Sequence, residues 1–204
     1  MAKVVDKNQK RKEILKAAMR VFGEKGVADT KMNDVAVAAG IGKGTIYEYF
    51  QNREDLLCES FEYLLRKIKA LMLSRIDIAL SPEEKIRTGF LAYLDVATLE
   101  IEEFAEILLD FWAYSIRQKE KGINLTLDIS SRYREYRELT IPILEEGVRT
   151  GVFRDMDTEV VASALIAACD GLLLQWLADK GNFNLQKAAE LTLNILLQGI
   201  AVPS

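Results

Sequence analysis

Residues 31–50 read KMNDVAVAAGIGKGTIYEYF, and the fold turns on whether this stretch is a helix-turn-helix. Val35, Ala39, Ile41 and Ile46 supply an apolar seam between two short crossing helices. Ala36 is small where the second helix passes closely over the first. Gly40 sits at the turn, where a positive φ is needed and a side chain would clash. Thr30 is placed to cap the first helix, through 32–39. The second is expected from about Lys43 to Phe50. It exposes Lys43, Gly44, Thr45, Tyr47, Glu48 and Tyr49 near its N-terminal half, the end that enters a major groove in such motifs. An Ala-x-x-x-Gly spacing alone occurs by chance; the agreement of seam, cap, turn and exposed polar helix carries the reading.

Working outward, 10–25 places Ile14, Leu15, Ala17, Ala18, Val21 and Phe22 on one helical stripe. It stops at Gly26, with Val27 placed to touch Phe22 as in a Schellman ending. Downstream, Asn52 can cap a longer helix over 53–75, whose first turn carries Glu54 and Asp55. Ser81-Pro82-Glu83-Glu84 is a helix start: a capping serine, proline at the first position, glutamate three residues after the cap. Further helices read at 83–97, 101–120, 125–149, 157–179 and 185–200, and Pro142 should kink or split the third of these. No sustained period-2 alternation and no Asn-Gly hairpin turn appears. The expectation is an all-α protein of about nine helices. A helix-turn-helix domain over 8–54 (motif 31–50) precedes a larger helical effector-binding and dimerisation domain over 55–204.

Composition narrows the function. The chain has 204 residues, 50% hydrophobic and 28% charged, enough for a sizeable core and too apolar for disorder. It has no histidine, which removes the commonest general base and metal ligand together. Its two cysteines, Cys58 and Cys169, are too far apart in sequence for a Cys-x-x-Cys clamp, so neither a metal site nor a disulfide framework is expected. No apolar run reaches the roughly 18 residues of a membrane span, and no signal peptide is visible. The expectation is a soluble, cytoplasmic protein without a membrane partner. Net charge is −4, unevenly spread: residues 1–54 carry 11 Lys+Arg against 7 Asp+Glu, and the rest carry 16 against 24. A basic head on an acidic body points the head at a polyanion.

The segments ILKAAMRVFGEKG (14–26), DTKMNDVAVAAGIGKGTIYEYF (29–50) and NREDLL (52–57) resemble the tetracycline-repressor (TetR) family of transcriptional regulators. More loosely, YREYRELTIPILEEGVRTGVF (133–153) and ALIAACDGLLLQWL (164–177) look like the helices that close the effector domains of such regulators. In the family style the DNA-binding domain extends to about residue 68. Asn33, where the family often has a basic or small polar residue, and acidic Glu48 depart from its pattern.

The resemblance implies a dimer on double-stranded DNA. Lys43, Thr45, Tyr47 and Tyr49 would face DNA, and Gly44 would allow close backbone approach. Thr30, Lys31 and Arg53 would meet phosphate. Lysine and arginine neutralise phosphates, and hydroxyls hydrogen-bond to them, without reading sequence. Base readout would fall to Thr45, Asn33 and Lys43. Glu48 either accepts from cytosine or points at solvent, the latter favoured; one of Tyr47 and Tyr49 is expected to be partly core. The basic run Lys3, Lys7, Lys10, Arg11, Lys12 reads as a solvated face that adds nonspecific attraction.

The 157–179 segment is apolar on nearly all sides and so must be buried on nearly all sides. The domain core is expected to cover one face and a second subunit another, with 185–200 as partner helix, a wholly intramolecular core being the alternative. Leu165, Leu172, Leu173, Trp176, Leu191 and Ile195 are the candidate interface of a homodimer with two helices from each chain. Phe61, Tyr93, Phe104, Phe111, Trp112, Tyr114 and Tyr136 thread the middle helices. Of these, Phe61, Tyr93, Phe111 and Trp112, with Asp170, are the candidate ligand-binding residues, ordinary core packing being the alternative for each. Asp170 is a carboxylate inside a very apolar helix and must be paired, solvated or bound to something. A ligand cation and a pair across the dimer both remain open.

An enzyme is not expected, and no catalytic residue is assigned: there is no histidine, Gly-rich phosphate loop or nucleophile-elbow serine. The cluster Glu100, Glu102, Glu103, Glu106 reads as a solvated helix face. The expected function is a ligand-responsive transcriptional regulator of the repressor kind, without cofactor, released from a pseudo-palindromic operator by a small, hydrophobic effector. The alternative is an effector-independent DNA-binding architectural or partner-regulated protein.

Overall fold

The computed structural model describes residues 6–95, 104–120 and 129–203. Eight α-helices stand among them: α1 Lys7–Lys25, α2 Met32–Ala38, α3 Arg53–Leu73, α4 Pro82–Asp95, α5 Phe104–Glu120, α6 Ile129–Arg149, α7 Thr158–Ala178 and α8 Leu185–Ile200. A 3₁₀ helix, Thr45–Glu48, lies between α2 and α3. The β-type pairing among the described residues is one antiparallel bridge, Phe153 with Ala201. The all-α expectation is met, and the nine expected helices correspond to these nine segments, one of them 3₁₀. Lys3, Glu100, Glu102, Glu103 and the side chain of Phe104 lie outside the described residues.

Local side chains set the helix boundaries. Asn52 Oδ1 accepts from the Asp55 N–H at 2.8 Å, and Asp55 Oδ2 accepts in return from the Gln51 N–H at 2.9 Å. Ser81 and Glu84 form the expected capping box: Glu84 Oε2 accepts from the Ser81 N–H at 2.9 Å and Ser81 Oγ from the Glu84 N–H at 3.3 Å. The Ser81 hydroxyl also donates to Glu84 Oε2 at 2.6 Å, and this bond, with the one from the Ser81 N–H, holds the Glu84 carboxyl below the usual carboxylate range. Asp157 caps α7 and Asn184 caps α8 in the same way.

Several local expectations are corrected. Gly26 has φ +80° but ψ 154°, so α1 ends in an extended, glycine-only conformation and not a Schellman turn. Thr30 does not cap α2. Its hydroxyl donates backward to the Gly26 carbonyl at 2.8 Å, and the N-cap position falls on Lys31, whose N–H is held by Asp34 Oδ2 at 2.9 Å. Pro142 does not split α6, which continues through it from Ile129 to Arg149. The expected 43–50 helix tightens into 3₁₀ geometry: Thr45, Tyr47 and Tyr49 donate to carbonyls three residues back. Gly42 and Gly44 weaken the α-helix there, while the buried Ile46 and Phe50 pin the segment from beneath.

The described chain divides into two compact units. Residues up to Lys67 pack with α5, and Ile68–Asp95 packs with the chain from Ser130 onward. In the first unit Ile14, Val21 and Phe22 of α1, Val35 and Ala36 of α2, and Ile46 and Phe50 close one core. Phe61 and Phe111 stack within that unit at 3.7 Å between ring centroids. In the second, α4, α7 and α8 surround Phe90, Leu165, Cys169, Leu173, Leu193 and Leu197. Its end is tied off where Gly151 turns at φ +74° and the Arg154 N–H donates to the Ile200 carbonyl at 2.9 Å.

Helix α7 corrects the expectation about apolar length: by length and composition alone it would suffice to cross a membrane. Only 28% of its most apolar window is buried by the chain itself, and Asp170 interrupts it.

Candidate functional site

In the first unit, Val35 and Ile46 of the apolar seam read from the sequence are buried, Ala39 and Ile41 are half-buried, and the polar face beside them is open. Val35, Ala36 and Ile46 are sealed, whereas Lys31, Asn33, Lys43, Gly44 and Tyr47 are exposed and Thr45 and Tyr49 half-buried. Tyr49 is thus the more covered of the two tyrosines, and Glu48 faces solvent. Gly40 carries φ +63° at the turn, as the motif requires. Lys25, in the last turn of α1, pairs with Asp34 of α2 at 2.8 Å and holds that carboxyl below its ordinary range.

Two residues expected at phosphate are turned inward. Thr30 is 2% exposed, with its hydroxyl on backbone carbonyls. The Arg53 guanidinium donates from Nε to the Thr30 carbonyl at 2.7 Å, from Nη1 to Tyr114 Oη at 2.9 Å, and from Nη2 to the carbonyls of Ala28, at 3.2 Å, and Val27. It also lies 5.2 Å from the Tyr114 ring centre. A fork of donors in this position closes the loop before α2 onto the start of α3. Two residues the sequence did not reveal complete the brace from α5: Tyr114, and Asp110, whose Oδ2 accepts from the Val27 N–H at 2.7 Å. No local pattern marks either, because both act across more than 60 positions of chain. Arg11 performs a similar office, donating to the Tyr49 carbonyl at 2.7 Å while paired with Glu59.

The second unit holds a cavity of about 190 Å³ lined by α3, α4, α6 and α7. That is far more than the about 10–15 Å³ that admits one water. Its walls are largely apolar: Met72, Ile86, Phe90, Leu139, Ile143 and Leu165 contribute. The expected ligand residues separate. Tyr93 and Asp170 line this cavity, whereas Phe61 and Phe111 form the stacked pair of the first unit and Trp112 is half-buried on α5 beside them in sequence. Helical spacing alone could not sort core aromatics from lining aromatics.

At the polar end of the cavity Asp170 accepts from Tyr133 Oη at 2.8 Å and from Tyr93 Oη at 3.2 Å. Burial raises the Asp170 carboxyl above its ordinary value, and the two hydroxyl donors only partly oppose this. Burial beside that carboxylate raises Tyr93 and Tyr133 as well, and the Tyr136 hydroxyl is pushed up to about 12, chiefly by burial. Tyr136 meets Tyr93 edge to face at 6.3 Å. Tyr133 was not among the expected residues; its place three residues before Tyr136, on one face of α6, is the signal that could have found it.

The expected dimer-contact set also splits. Leu165, Leu172 and Leu173 are buried within the chain's own core, and Trp176 is half-buried. Leu191 and Ile195 stand 59% and 61% exposed on α8, and on α7 the uncovered apolar residues are Val160 and Leu174, 62% and 53% exposed. Val160, Ala164, Ala167, Gly171 and Leu174 follow one another at spacings of four and three, a single face of α7 with small residues at its middle. A helix apolar all round does not disclose from sequence which side its own chain covers; packing against α4 and α8 decides it.

Residues 14–59 match the description of the bacterial regulatory proteins of the tetR family, and residues 82–200 match the C-terminal domain of BetI-type transcriptional repressors. The chain is 27% identical over 202 residues to the HTH-type transcriptional repressor KstR2 of Rhodococcus jostii (strain RHA1), covering 97% of this chain and 94% of that protein. It is 24% identical to the fatty acid metabolism regulator protein of Bacillus subtilis (strain 168), over 95% of this chain and 97% of the relative. The solved fatty acid degradation regulator FadR from Bacillus halodurans superposes with a TM-score of 0.75 at 25% identity, covering 92% of this chain and 94% of the other.

Proposed function

Because the chain belongs to the TetR family of bacterial regulatory proteins, we propose that this transcriptional regulator represses by binding a pseudo-palindromic operator as a homodimer, and that a small hydrophobic effector releases it. The observation that carries the DNA half is the open polar face of Lys31, Asn33, Lys43, Gly44, Thr45, Tyr47 and Tyr49 over a sealed helix-turn-helix seam. The two lysines neutralise phosphate, Tyr47 and Thr45 bond phosphate or base edges, and Asn33 offers the fork that pairs with adenine. Thr30 and Arg53 hold the motif's shape from inside. The uncovered stripe of α7 and α8 is the surface a second copy would cover. Two such heads about 34 Å apart reach successive major grooves on one face of a duplex.

The effector half rests on the apolar cavity with its few polar anchors, the usual make-up of a small-molecule site. A solid core would have favoured an effector-independent DNA-binding protein. Two of the relatives are named for fatty acid metabolism or degradation, in keeping with an apolar effector. Helix α3 carries Arg53 at its first turn and the cavity residues Lys69 and Met72 near its last. A ligand that moves its C-terminal turns shifts the equilibrium between DNA-binding geometries by its difference in affinity for them.

The test is selection of genomic fragments by the purified protein as salt is raised, followed by titration of the selected duplex with Lys43→Ala and Tyr47→Ala variants. Both are expected to weaken binding with helix content and subunit association unchanged. Absence of any preferred fragment, or unchanged affinity in both variants, would remove the proposal.

A further inference from the structure

We infer that the cavity of the second unit selects a ligand with one cationic nitrogen on an apolar body, the nitrogen seated against Asp170 among Tyr93, Tyr133 and Tyr136. This rests on the proposed effector role of the cavity and adds the charge of the ligand to it.

Three ionisable side chains of full charge line the cavity: Lys69, Lys85 and Asp170. Each lysine already has its carboxylate. Lys69 Nζ lies 2.6 Å from Glu135, and Lys85 Nζ lies 3.0 Å from Glu146. Arg132 shares Glu135 at 2.7 Å and does not line the cavity. Among the described residues no lysine or arginine forms an ion pair with Asp170; its partners are the neutral hydroxyls of Tyr93 and Tyr133. Of the three charges on the walls, the Asp170 carboxylate is the one that forms no ion pair among the described residues.

A buried carboxylate in that position is costly unless a cation completes it. The surrounding rings suit a cation and nothing anionic. An ammonium within about 6 Å of a tyrosine face is attracted by the ring quadrupole, most strongly where water is excluded. Tyr93 and Tyr136 line the cavity together with Asp170 and meet each other edge to face, so aromatic surface and carboxylate share one end of it. An anionic head at this end would face the Asp170 carboxylate, while the lysines of the walls are engaged with Glu135 and Glu146. The rest of the cavity, from Met72 and Ile86 to Ile143, is mostly apolar and suits an apolar body. A purely structural reading treats Asp170 as a tie between α4, α6 and α7, and it predicts no preference among ligand charges.

The test uses three compounds with one eight-carbon body and different heads: octyltrimethylammonium, octanol and octanoate. Calorimetric titration of the full-length protein at neutral pH is expected to give octyltrimethylammonium about tenfold or more tighter than octanol, with octanoate weakest. In Asp170→Asn, whose amide oxygen accepts from one tyrosine while its NH2 group donates to the other hydroxyl, the preference for the cation over octanol is expected to collapse to within about threefold. Equal affinity for cation and alcohol, tighter binding of octanoate, no binding by any of the three, or a preference surviving in Asp170→Asn would each overturn the inference. The comparison on the unaltered chain stands even if the variant fails to fold. Operator affinity measured with each compound separates the two claims. Release by octanol or octanoate alone would overturn the charge assignment and leave the effector role. Cation-selective binding that leaves DNA affinity unchanged would support the assignment and remove the effector role.

Discussion

Replacing Arg53 distinguishes a brace from a phosphate contact. Its guanidinium donates to the Thr30 and Ala28 carbonyls at 2.7 and 3.2 Å, to the Val27 carbonyl, and to Tyr114 Oη at 2.9 Å. Hydrogen bonds from a charged donor are worth about 1.5–3 kcal/mol each. The side chain is 21% exposed, and water can reach part of the loop it holds, so the four bonds do not add. For Arg53→Ala a net loss of about 2–3 kcal/mol is expected once partial resolvation of the carbonyls is allowed for. At about 2–4 °C per kcal/mol for a chain of this length, the melting midpoint should fall by about 4–12 °C. Protein concentration must be held fixed, since an associating protein melts in a concentration-dependent way. Arg53→Lys should lose nearly as much, because a lysine keeps the charge but cannot fork to three carbonyls.

The same variants, titrated on nonspecific duplex across a salt series, should keep the slope of log affinity against log salt. A lost phosphate contact would instead reduce that slope by about 0.9. An alanine variant that melts within about 1 °C of the parent, with the slope reduced and lysine restoring it, would refute the brace and put Arg53 at the DNA.

Three further outcomes follow from the packing and the charges. A Cβ at Gly147 would lie 2.0 Å from the Phe153 ring, itself fully enclosed, so Gly147→Ala should destabilise by about 2 kcal/mol despite its better helix propensity, read as a drop of about 4–8 °C in midpoint. Leu191→Glu with Ile195→Glu places charges on surface the single chain leaves open; sedimentation should find monomers of unchanged helix content and DNA binding weakened at least tenfold, while an unchanged dimer would exclude α8 from the contact. Asp170 has a folded value raised by burial, so its effect on stability is most favourable when protonated and is lost as pH rises through that raised value. Asp170→Asn is therefore expected to melt higher than the parent at pH 7, with the gap narrowing as pH is lowered toward the ordinary aspartate range; a gap that widens on acidification would contradict the sign.

Much of the fold was legible because its signals are local. The Asn52 and Ser81 caps, the Gly40 turn and the stripe from Ile14 to Phe22 each depend on residues within one or two turns of each other. So does the exposed polar strip proposed to meet DNA, since burial of Val35, Ala36 and Ile46 leaves the intervening positions open. The misplacements have equally local causes. Thr30 has the right chemistry to cap α2, but the carbonyls of Val21 and Gly26 lie within reach of its hydroxyl once α1 ends. Gly42 and Gly44 let the segment after the turn tighten into 3₁₀ form.

Amino-acid order by itself determined that this chain is helical, that its head is basic, and that residues 31–50 fold as a helix-turn-helix, since hydrophobic period, caps and turn glycines act over a few residues. Only the tertiary structure decided which side of α7 the chain covers, that Phe61 and Phe111 stack in one unit while Tyr93 and Asp170 line a cavity in the other, and that Asp110 and Tyr114 brace the loop before α2. Each of those facts joins residues tens of positions apart. A side chain's burial or bonding partner at that range is set by how whole helices pack against one another, which no periodicity along a single helix encodes.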